Sequence, residues 1–82
     1  MTRDEIVKNV NEILADEYEV EVEEMEASAE MREVLPIDSL SIVDLVALIQ
    51  ANYKVTIPVS ELPNLKTFND LYDYIFNHLP EN

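Results

Sequence analysis

The chain has 82 residues, enough for one small domain, which we expect to span residues 1–82. It carries 18 acidic and 5 basic residues, and its net charge of −13 excludes general nucleic-acid binding, which needs a basic surface. The absence of cysteine excludes disulfides and thioester chemistry on a protein thiol. No segment approaches the roughly 20 apolar residues that cross a bilayer, and the N-terminus lacks an apolar signal core. We therefore expect a cytoplasmic monomer without membrane insertion.

Apolar periodicity predicts a first helix and a loop after it. Thr2 and Glu5 have the spacing of a capping box, so the helix is expected to begin there. Its apolar stripe has helical spacing and comprises Ile6, Val7, Val10, Ile13 and Leu14. In residues 16–26 apolar side chains alternate with glutamates, but a single short strand without a partner is unstable. We expect a long acidic loop from which three apolar side chains reach the core: Val20, Val22 and Met25.

A second helix is predicted to begin near Asp38, because aspartate is a good N-cap and Pro36 disfavours a helix that runs in from upstream. Four of its apolar side chains are expected to face the core: Leu45, Val46, Ile49 and Tyr53. Val43 and Ala47 fall on another face, which we expect to be at least partly exposed. Residues 54–58, which end in a proline, are expected to be extended.

The C-terminal part predicts a small helical turn and a last helix. Residues 60–62 can form a single turn before Pro63. Thr67 is expected to cap the last helix, with Asp70 at the capping-box position and Pro80 at the end. Its apolar face comprises Phe68, Leu71, Tyr72, Ile75, Phe76 and Leu79. The predicted fold is an all-α bundle of three main helices plus a short one, with a long acidic loop between the first two.

The sequence shows no pattern typical of an enzyme or a metal site. The single histidine, His78, lies near the end of the last helix, and nothing in the spacing brings it to a serine nucleophile. We interpret it as a solvated residue that the helix dipole favours. There is no cysteine–histidine cluster, and a calcium loop of the EF-hand type needs a glycine that this chain lacks. We expect neither catalytic nor metal-binding residues.

The segment from Leu35 to Leu40, with sequence Leu-Pro-Ile-Asp-Ser-Leu, places Ser39 in the first turn of a predicted helix. The free N–H groups and the dipole at such a position favour a phosphate on the serine hydroxyl. The alternative interpretation is structural, with Asp38 and Ser39 acting only as an N-cap pair.

This Asp-Ser-Leu motif, ahead of an apolar helix, resembles the phosphopantetheine attachment motif of acyl carrier proteins. The order of helices, the acidic loop, the Val-Thr-Ile-Pro stretch at 55–58 and the Thr-Phe pair that opens the last helix are also similar to that family, from about Glu5 to Leu79. The resemblance implies that a phosphopantetheinyl transferase attaches 4′-phosphopantetheine from coenzyme A to Ser39, with Asp38 orienting the transfer near the magnesium of the transferase.

The resemblance also implies roles for other residues. The face that docks on partner enzymes would comprise Leu40, Val43, Asp44 and Ala47. The first, second and last helices would enclose a cavity for the acyl chain, lined by residues such as Val46, Ile49, Leu62 and Phe68. The protein would present acyl thioesters to partners such as acyl transferases and ketosynthases in fatty-acid or polyketide-like biosynthesis.

The chain departs from the family pattern at the motif and along the second helix. Pro36 stands where a glycine is usual, which puts the choice of transferase in question. Ser41 and the sequence Gln-Ala-Asn at 50–52 stand where acids are common. These departures leave open a specialised carrier of a secondary pathway, such as an aryl-polyene type. A second hypothesis is an acidic helical protein-interaction module that is never modified, for which Ser39→Ala would change nothing.

Overall fold

A computed structural model describes residues 2–38 and 41–79, which form four α-helices and two short 3₁₀ helices. The α-helices are α1 (Arg3–Tyr18), α2 (Met31–Val34), α3 (Ile42–Tyr53) and α4 (Phe68–His78), and the 3₁₀ helices span Val22–Glu24 and Val59–Asn64. The described part contains no strand, only an antiparallel bridge between Glu30 and Thr67. The predicted all-α bundle is confirmed. No helix in these two ranges is long and apolar enough to span a membrane.

Capping boxes start both α1 and α4, as predicted. The Thr2 hydroxyl accepts a hydrogen bond from the Glu5 backbone N–H at 3.2 Å, and the Glu5 carboxylate accepts one from the Thr2 N–H at 3.1 Å. At the start of α4, the Thr67 hydroxyl accepts a hydrogen bond from the Asp70 backbone N–H at 3.2 Å, and the Asp70 carboxylate accepts one from the Thr67 N–H at 3.1 Å. Both pairs satisfy backbone N–H groups that the first turn of a helix leaves without partners.

The capping box at the start of α4 makes the stability of the fold depend on pH through the Asp70 carboxylate. Hydrogen bonding from the Thr67 backbone N–H is the main reason that the pKa of Asp70 lies below its usual range. Such a carboxylate stabilises the fold above its unfolded pKa, and the contribution is lost as the pH falls through the folded value.

Asp70→Asn should therefore lower the free energy of unfolding at pH 7 by about 0.5 kcal/mol. This deficit should shrink below about pH 4 in thermal melts. Asp16→Asn, in the last turn of α1, is the control, and it should not lower the free energy of unfolding at pH 7 because an acid there opposes the helix dipole.

The core lies where α1, α3 and α4 meet. The side chains of these helices that are buried and apolar are Ile6, Val10, Leu14, Ile42, Leu45, Ile49, Tyr53, Phe68, Leu71, Tyr72 and Ile75. The connections add Met25, Met31, Leu35, Ile37, Val55, Ile57 and Leu65. Most of the predicted core is thus confirmed. Five predicted core residues are only partly buried: Val7, Ile13, Val20, Val46 and Leu79. Phe76 keeps 42% of its surface exposed.

Polar contacts hold the first residues of α1 against α4. The Arg3 guanidinium donates from Nε to Asp73 Oδ1 at 2.8 Å, hydrogen-bonds Asn69, and lies 6.0 Å from the centroid of the Tyr72 ring. Deeper in the interface the Tyr72 hydroxyl donates to Asn11 Oδ1. Asn11 is the buried polar residue of the described core. Two separate polar contacts therefore fix the register of these helices.

The acidic loop is shorter than predicted. The prediction that residues 16–18 belong to it is wrong, because α1 continues to Tyr18 and its last turn places Tyr18 half-buried against the core. The rest of the connection contains two short helices that periodicity does not reveal, Val22–Glu24 and α2. The prediction that Val22 reaches the core is wrong, since it lies in a 3₁₀ helix and is 42% exposed, whereas Met25 is buried as predicted.

The segment after α3 differs in detail from the prediction. Lys54, expected to be extended, is the left-handed C-cap of α3. Residues 55–58 contain no helix, and burial alternates along them, with Val55 and Ile57 buried. The turn predicted at 60–62 is a longer 3₁₀ helix, Val59–Asn64, which contains Pro63. It is stabilised by hydrogen bonds that need no donor from the proline, including Glu61 N–H to the Pro58 carbonyl at 2.9 Å.

Helices α1 and α3 both end on residues in the left-handed region, where glycine is usual. Glu19 has φ 56° and Lys54 has φ 59°, and the chain contains no glycine. A side chain with a Cβ costs about 1 kcal/mol there.

Glu19→Gly and Lys54→Gly should therefore each raise the unfolding free energy by about 0.5–1 kcal/mol. The double variant keeps the net charge, and its melting temperature should rise by several degrees. Gln50→Gly, inside α3, should instead lower it.

Candidate functional site

The start of α3 is organised by Asp38 and Ser41. The Asp38 backbone N–H donates to Ser41 Oγ at 2.8 Å, and the Ser41 N–H donates to Asp38 Oδ1 at 2.8 Å. The Ile42 N–H donates to the Asp38 carbonyl at 3.0 Å, the spacing of an α-helical turn. This reciprocal exchange has the hydrogen-bond pattern of a capping box. The prediction that Asp38 is the N-cap is wrong, because α3 begins at Ile42 with Ser41 as its N-cap residue, and Asp38 hydrogen-bonds to Ser41 just ahead of the helix.

Ser39 and Leu40, the predicted attachment serine and the first predicted docking residue, lie outside the described residues. Ile37 and Ile42 are buried, with 7% and 3% of their surfaces exposed, whereas Asp38 is exposed. The two isoleucines anchor the start of α3 to the core, and the polar cap faces solvent. An exposed helix start of this kind fits a covalently attached phosphodiester, because its negative charge is favoured near backbone N–H groups.

Ser41 has a structural role beyond what the resemblance implies for a position where acidic residues are common. Its hydroxyl also donates to Asp38 Oδ1 at 3.1 Å. The signal was present as the Asp-x-x-Ser spacing, which puts a short polar side chain three residues after an aspartate.

One face of α3 carries the other predicted docking residues. Val43 is 53% exposed, and Asp44 and Ala47 are also exposed, while Leu45 and Ile49 face the core. The predicted exposure of Val43 and Ala47 is therefore confirmed. The helix brings together an exposed β-branched side chain, a carboxylate and a small side chain on one surface.

An open pocket of about 610 Å³ lies beside the start of α3. Its apolar wall comprises Ile42, Val59, Leu62, Pro63 and Leu65. Its polar wall comprises Glu30, Arg32 and Lys66. Two of the five basic residues of the chain thus line one pocket.

The four predicted cavity residues are not all in this pocket. Leu62 lines it, whereas Ile49 and Phe68 are completely buried in the core and Val46 packs against the core from a partly exposed position. Their grouping around an acyl chain stays a prediction.

A second pocket, of about 450 Å³, lies between the end of α1 and the exposed face of α3. It is lined by Glu17, Tyr18, Asp44, Ala47 and Leu48. Burial is the main reason that the pKa of Tyr18 is raised, and the charges of Asp44 and Glu17 raise it further. No sequence pattern predicted that Glu17 and Tyr18 lie beside Asp44, because the proximity arises from the packing of two helices.

The described residues contain no group of three or more His, Asp or Glu side chains that could hold a metal ion. His78 is exposed in the last turn of α4. Its Nδ1 lies 2.8 Å from the Tyr74 carbonyl oxygen, and its ring stacks on Tyr74 with centroids 4.0 Å apart. It occupies the exposed helix-end position that the sequence predicted.

Comparison with known proteins supports the resemblance. The family model described as the phosphopantetheine attachment site matches residues 8–75. An acyl carrier protein of Rubrobacter xylanophilus is 33% identical over 78 residues, which cover 95% of this chain and 96% of the relative. An acyl carrier protein of Thermosynechococcus vestitus is 36% identical over 94% of this chain and 95% of its own length. One of Kocuria rhizophila is 36% identical over 93% of this chain and 94% of its own length.

Proposed function

Because the chain belongs to the acyl carrier protein family, we propose that it holds acyl intermediates as thioesters on a 4′-phosphopantetheine arm attached to Ser39. Acyl carrier proteins are carriers and not enzymes, and they bear this prosthetic group covalently. The group supplies the thiol on which an acyl thioester forms. This chain has no cysteine that could supply one.

The observation that carries the proposal is the position of Ser39 within the matched region. The family match extends on both sides of Ser39, from residue 8 to residue 75. Ser39 follows Asp38, which is exposed and hydrogen-bonds to Ser41, the N-cap residue of α3. In this proposal the Ser39 hydroxyl forms the phosphodiester. Asp38 keeps the start of α3 ordered and orients the transfer near the magnesium of the transferase.

The exposed face of α3 supports a proposal for the partners. Leu40, Val43, Asp44 and Ala47 would contact a phosphopantetheinyl transferase and then acyl transferases, ketosynthases and related enzymes of fatty-acid or polyketide-like biosynthesis. With a net charge of −13, association with basic partner surfaces would be fast at low salt and slower at high salt. The proposal treats the chain as a single, monomeric, cytoplasmic carrier domain of residues 1–82.

The acyl chain would enter the protein beside the start of α3. The 610 Å³ pocket has apolar walls at Ile42 and Leu62, and Ile42 lies three residues after the proposed attachment serine. Ile49, Val46 and Phe68 lie deeper and would be reached only if the core rearranges around the chain. In this role the protein shields the apolar part of its cargo from water.

Intact mass measurement tests the attachment. The protein is incubated with coenzyme A and a broad-specificity phosphopantetheinyl transferase, with a known carrier protein in the same tube. We expect a gain of one phosphopantetheine in the parent and in Ser60→Ala, an exposed serine elsewhere. Ser39→Ala should show no gain while its circular dichroism spectrum stays that of the parent. If the control carrier is modified and this chain is not, the unmodified interaction module becomes the better hypothesis.

A further inference from the structure

The polar wall of the 610 Å³ pocket concentrates positive charge in an acidic chain. Arg32 and Lys66 line this wall, and they are two of five basic residues in a chain with 18 acids. Among the residues that the structure describes, neither of these two bases forms an ion pair, whereas Arg3 pairs with Asp73. Both side chains are exposed, so their charged groups can reach a ligand in the open pocket.

Backbone hydrogen bonds hold the two bases at the same wall, although they are far apart in the sequence. The Met31 N–H donates to the Lys66 carbonyl at 2.9 Å, and Glu30 and Thr67 form an antiparallel bridge. The Asp70 carboxylate accepts hydrogen bonds from the Lys66 and Thr67 backbone N–H groups, both at 3.1 Å. Asp70 therefore serves the cap of α4 through the backbone, and the cap does not need the Lys66 ammonium group.

The rest of the lining is apolar and lies close to the proposed attachment point. It comprises Ile42, Val59, Leu62, Pro63 and Leu65. Ile42 lies three residues after Ser39 in the sequence. The one acid of the polar wall, Glu30, is outnumbered by the two bases. A pocket with apolar surface and a cationic wall fits a ligand that has methylene groups and an anionic end.

We propose that this pocket selects acyl groups that carry a carboxylate at their far end, which are half-thioesters of dicarboxylic acids. The methylene groups would lie on Ile42 and Leu62, and Arg32 and Lys66 would bind the carboxylate. A guanidinium group donates two parallel hydrogen bonds to a carboxylate, and an ammonium group adds a second positive charge. The inference names the cargo class of the proposed carrier, and it rests on the proposed function for the thioester.

A carboxylate linked chemically at position 39 tests the pocket without a thioester. The chain has no cysteine, so Ser39→Cys introduces a single thiol. To this thiol ω-mercaptoundecanoic acid, enriched in carbon-13 at the carboxyl carbon, is joined as a mixed disulfide. Nuclear magnetic resonance then measures the pKa of that carboxyl. A net charge of −13 should raise the pKa above that of the free compound, whereas a position beside Arg32 and Lys66 should lower it.

Three variants of the linked protein locate the effect. Arg32→Gln and Lys66→Gln should each reduce the acid dissociation constant of the linked carboxyl about two- to fivefold. Lys8→Gln removes an exposed base of α1 that does not line the pocket, and as the matched control it should change this constant much less. A raised pKa in the linked parent chain, or equal changes in all three variants, would overturn the proposal.

The phosphodiester of the prosthetic group is the other anion that the two bases could bind. In the protein modified at Ser39 but carrying no acyl group, Arg32→Gln and Lys66→Gln should leave the phosphorus resonance unchanged. A shift of that resonance, with no change in the pKa of the linked carboxyl, would overturn the proposal. The disulfide probe needs no phosphopantetheine, so a failure of attachment at Ser39 would leave its result valid. Attachment with a raised pKa of the linked carboxyl would instead keep the proposed function and remove this inference.

Discussion

Tyr72→Phe should lower the free energy of unfolding by about 1–3 kcal/mol, although it removes only one oxygen atom. Tyr72 is 1% exposed, and its hydroxyl donates to Asn11 Oδ1 in the interface of α1 and α4. The variant leaves the Asn11 side chain buried, with 8% of its surface exposed, and without this donor. A buried polar group that loses its partner keeps its desolvation cost. Urea denaturation with an unchanged m-value measures the effect.

Tyr53→Phe is the matched control, and its expected effect has the opposite sign. Tyr53 is 9% exposed, and its hydroxyl has no hydrogen-bond partner among the described residues. Removing that oxygen removes a cost and breaks no bond, so stability should be unchanged or higher by up to about 1 kcal/mol. Equal losses for the two variants would mean that the contact between Tyr72 and Asn11 contributes nothing specific.

Ile49→Ala should lower the free energy of unfolding by about 2–5 kcal/mol, because the side chain is completely buried and its loss leaves a cavity. This is a large fraction of the stability of a small domain. If Ile49 lines the space that an acyl chain occupies, attaching a medium-length saturated acyl group should refill the cavity. The melting temperature of the variant should then rise on acylation by more than that of the parent protein.

Ile75→Ala is the control for this rescue. Ile75 is also completely buried, but it lies on α4 and is not among the predicted cavity residues. It should show a similar loss without the additional gain on acylation. An equal gain in both variants would remove Ile49 from the proposed acyl cavity, while the proposed attachment at Ser39 would be unaffected.

Local hydrogen-bonding signals explain why α1 and α4 were predictable. Thr2 and Glu5, and Thr67 and Asp70, exchange hydrogen bonds over three residues, so the spacing alone contains the information. The core face of α3 was predictable for a similar reason, since Leu45, Ile49 and Tyr53 repeat at helical spacing.

Features that depend on distant residues were not predictable in this way. Helix α2 has four residues and no side-chain cap, and its Met31 N–H donates to the Lys66 carbonyl at 2.9 Å.

The end of α1 was not predictable for a local reason: Glu19 adopts a left-handed conformation without the glycine that usually marks such a position. In the candidate site the Asp-Ser-Leu motif was visible, but the approach of Glu17 to Asp44 depends on how α1 packs on α3.

Backbone hydrogen bonds tie the acidic connection to the start of α4 beside one wall of the 610 Å³ pocket. The Met31, Phe68 and Asn69 N–H groups donate to the Lys66, Ala29 and Ala27 carbonyls at 2.9, 3.2 and 2.9 Å. These bonds join the walls that contain Glu30, Arg32 and Lys66. Another wall contains residues of the 3₁₀ helix Val59–Asn64, which has no side-chain cap and whose backbone hydrogen bonds at either end span three residues. We expect this wall to open first, so the rate at which a cargo enters or leaves would follow local unfolding of that segment and not the global stability of the domain.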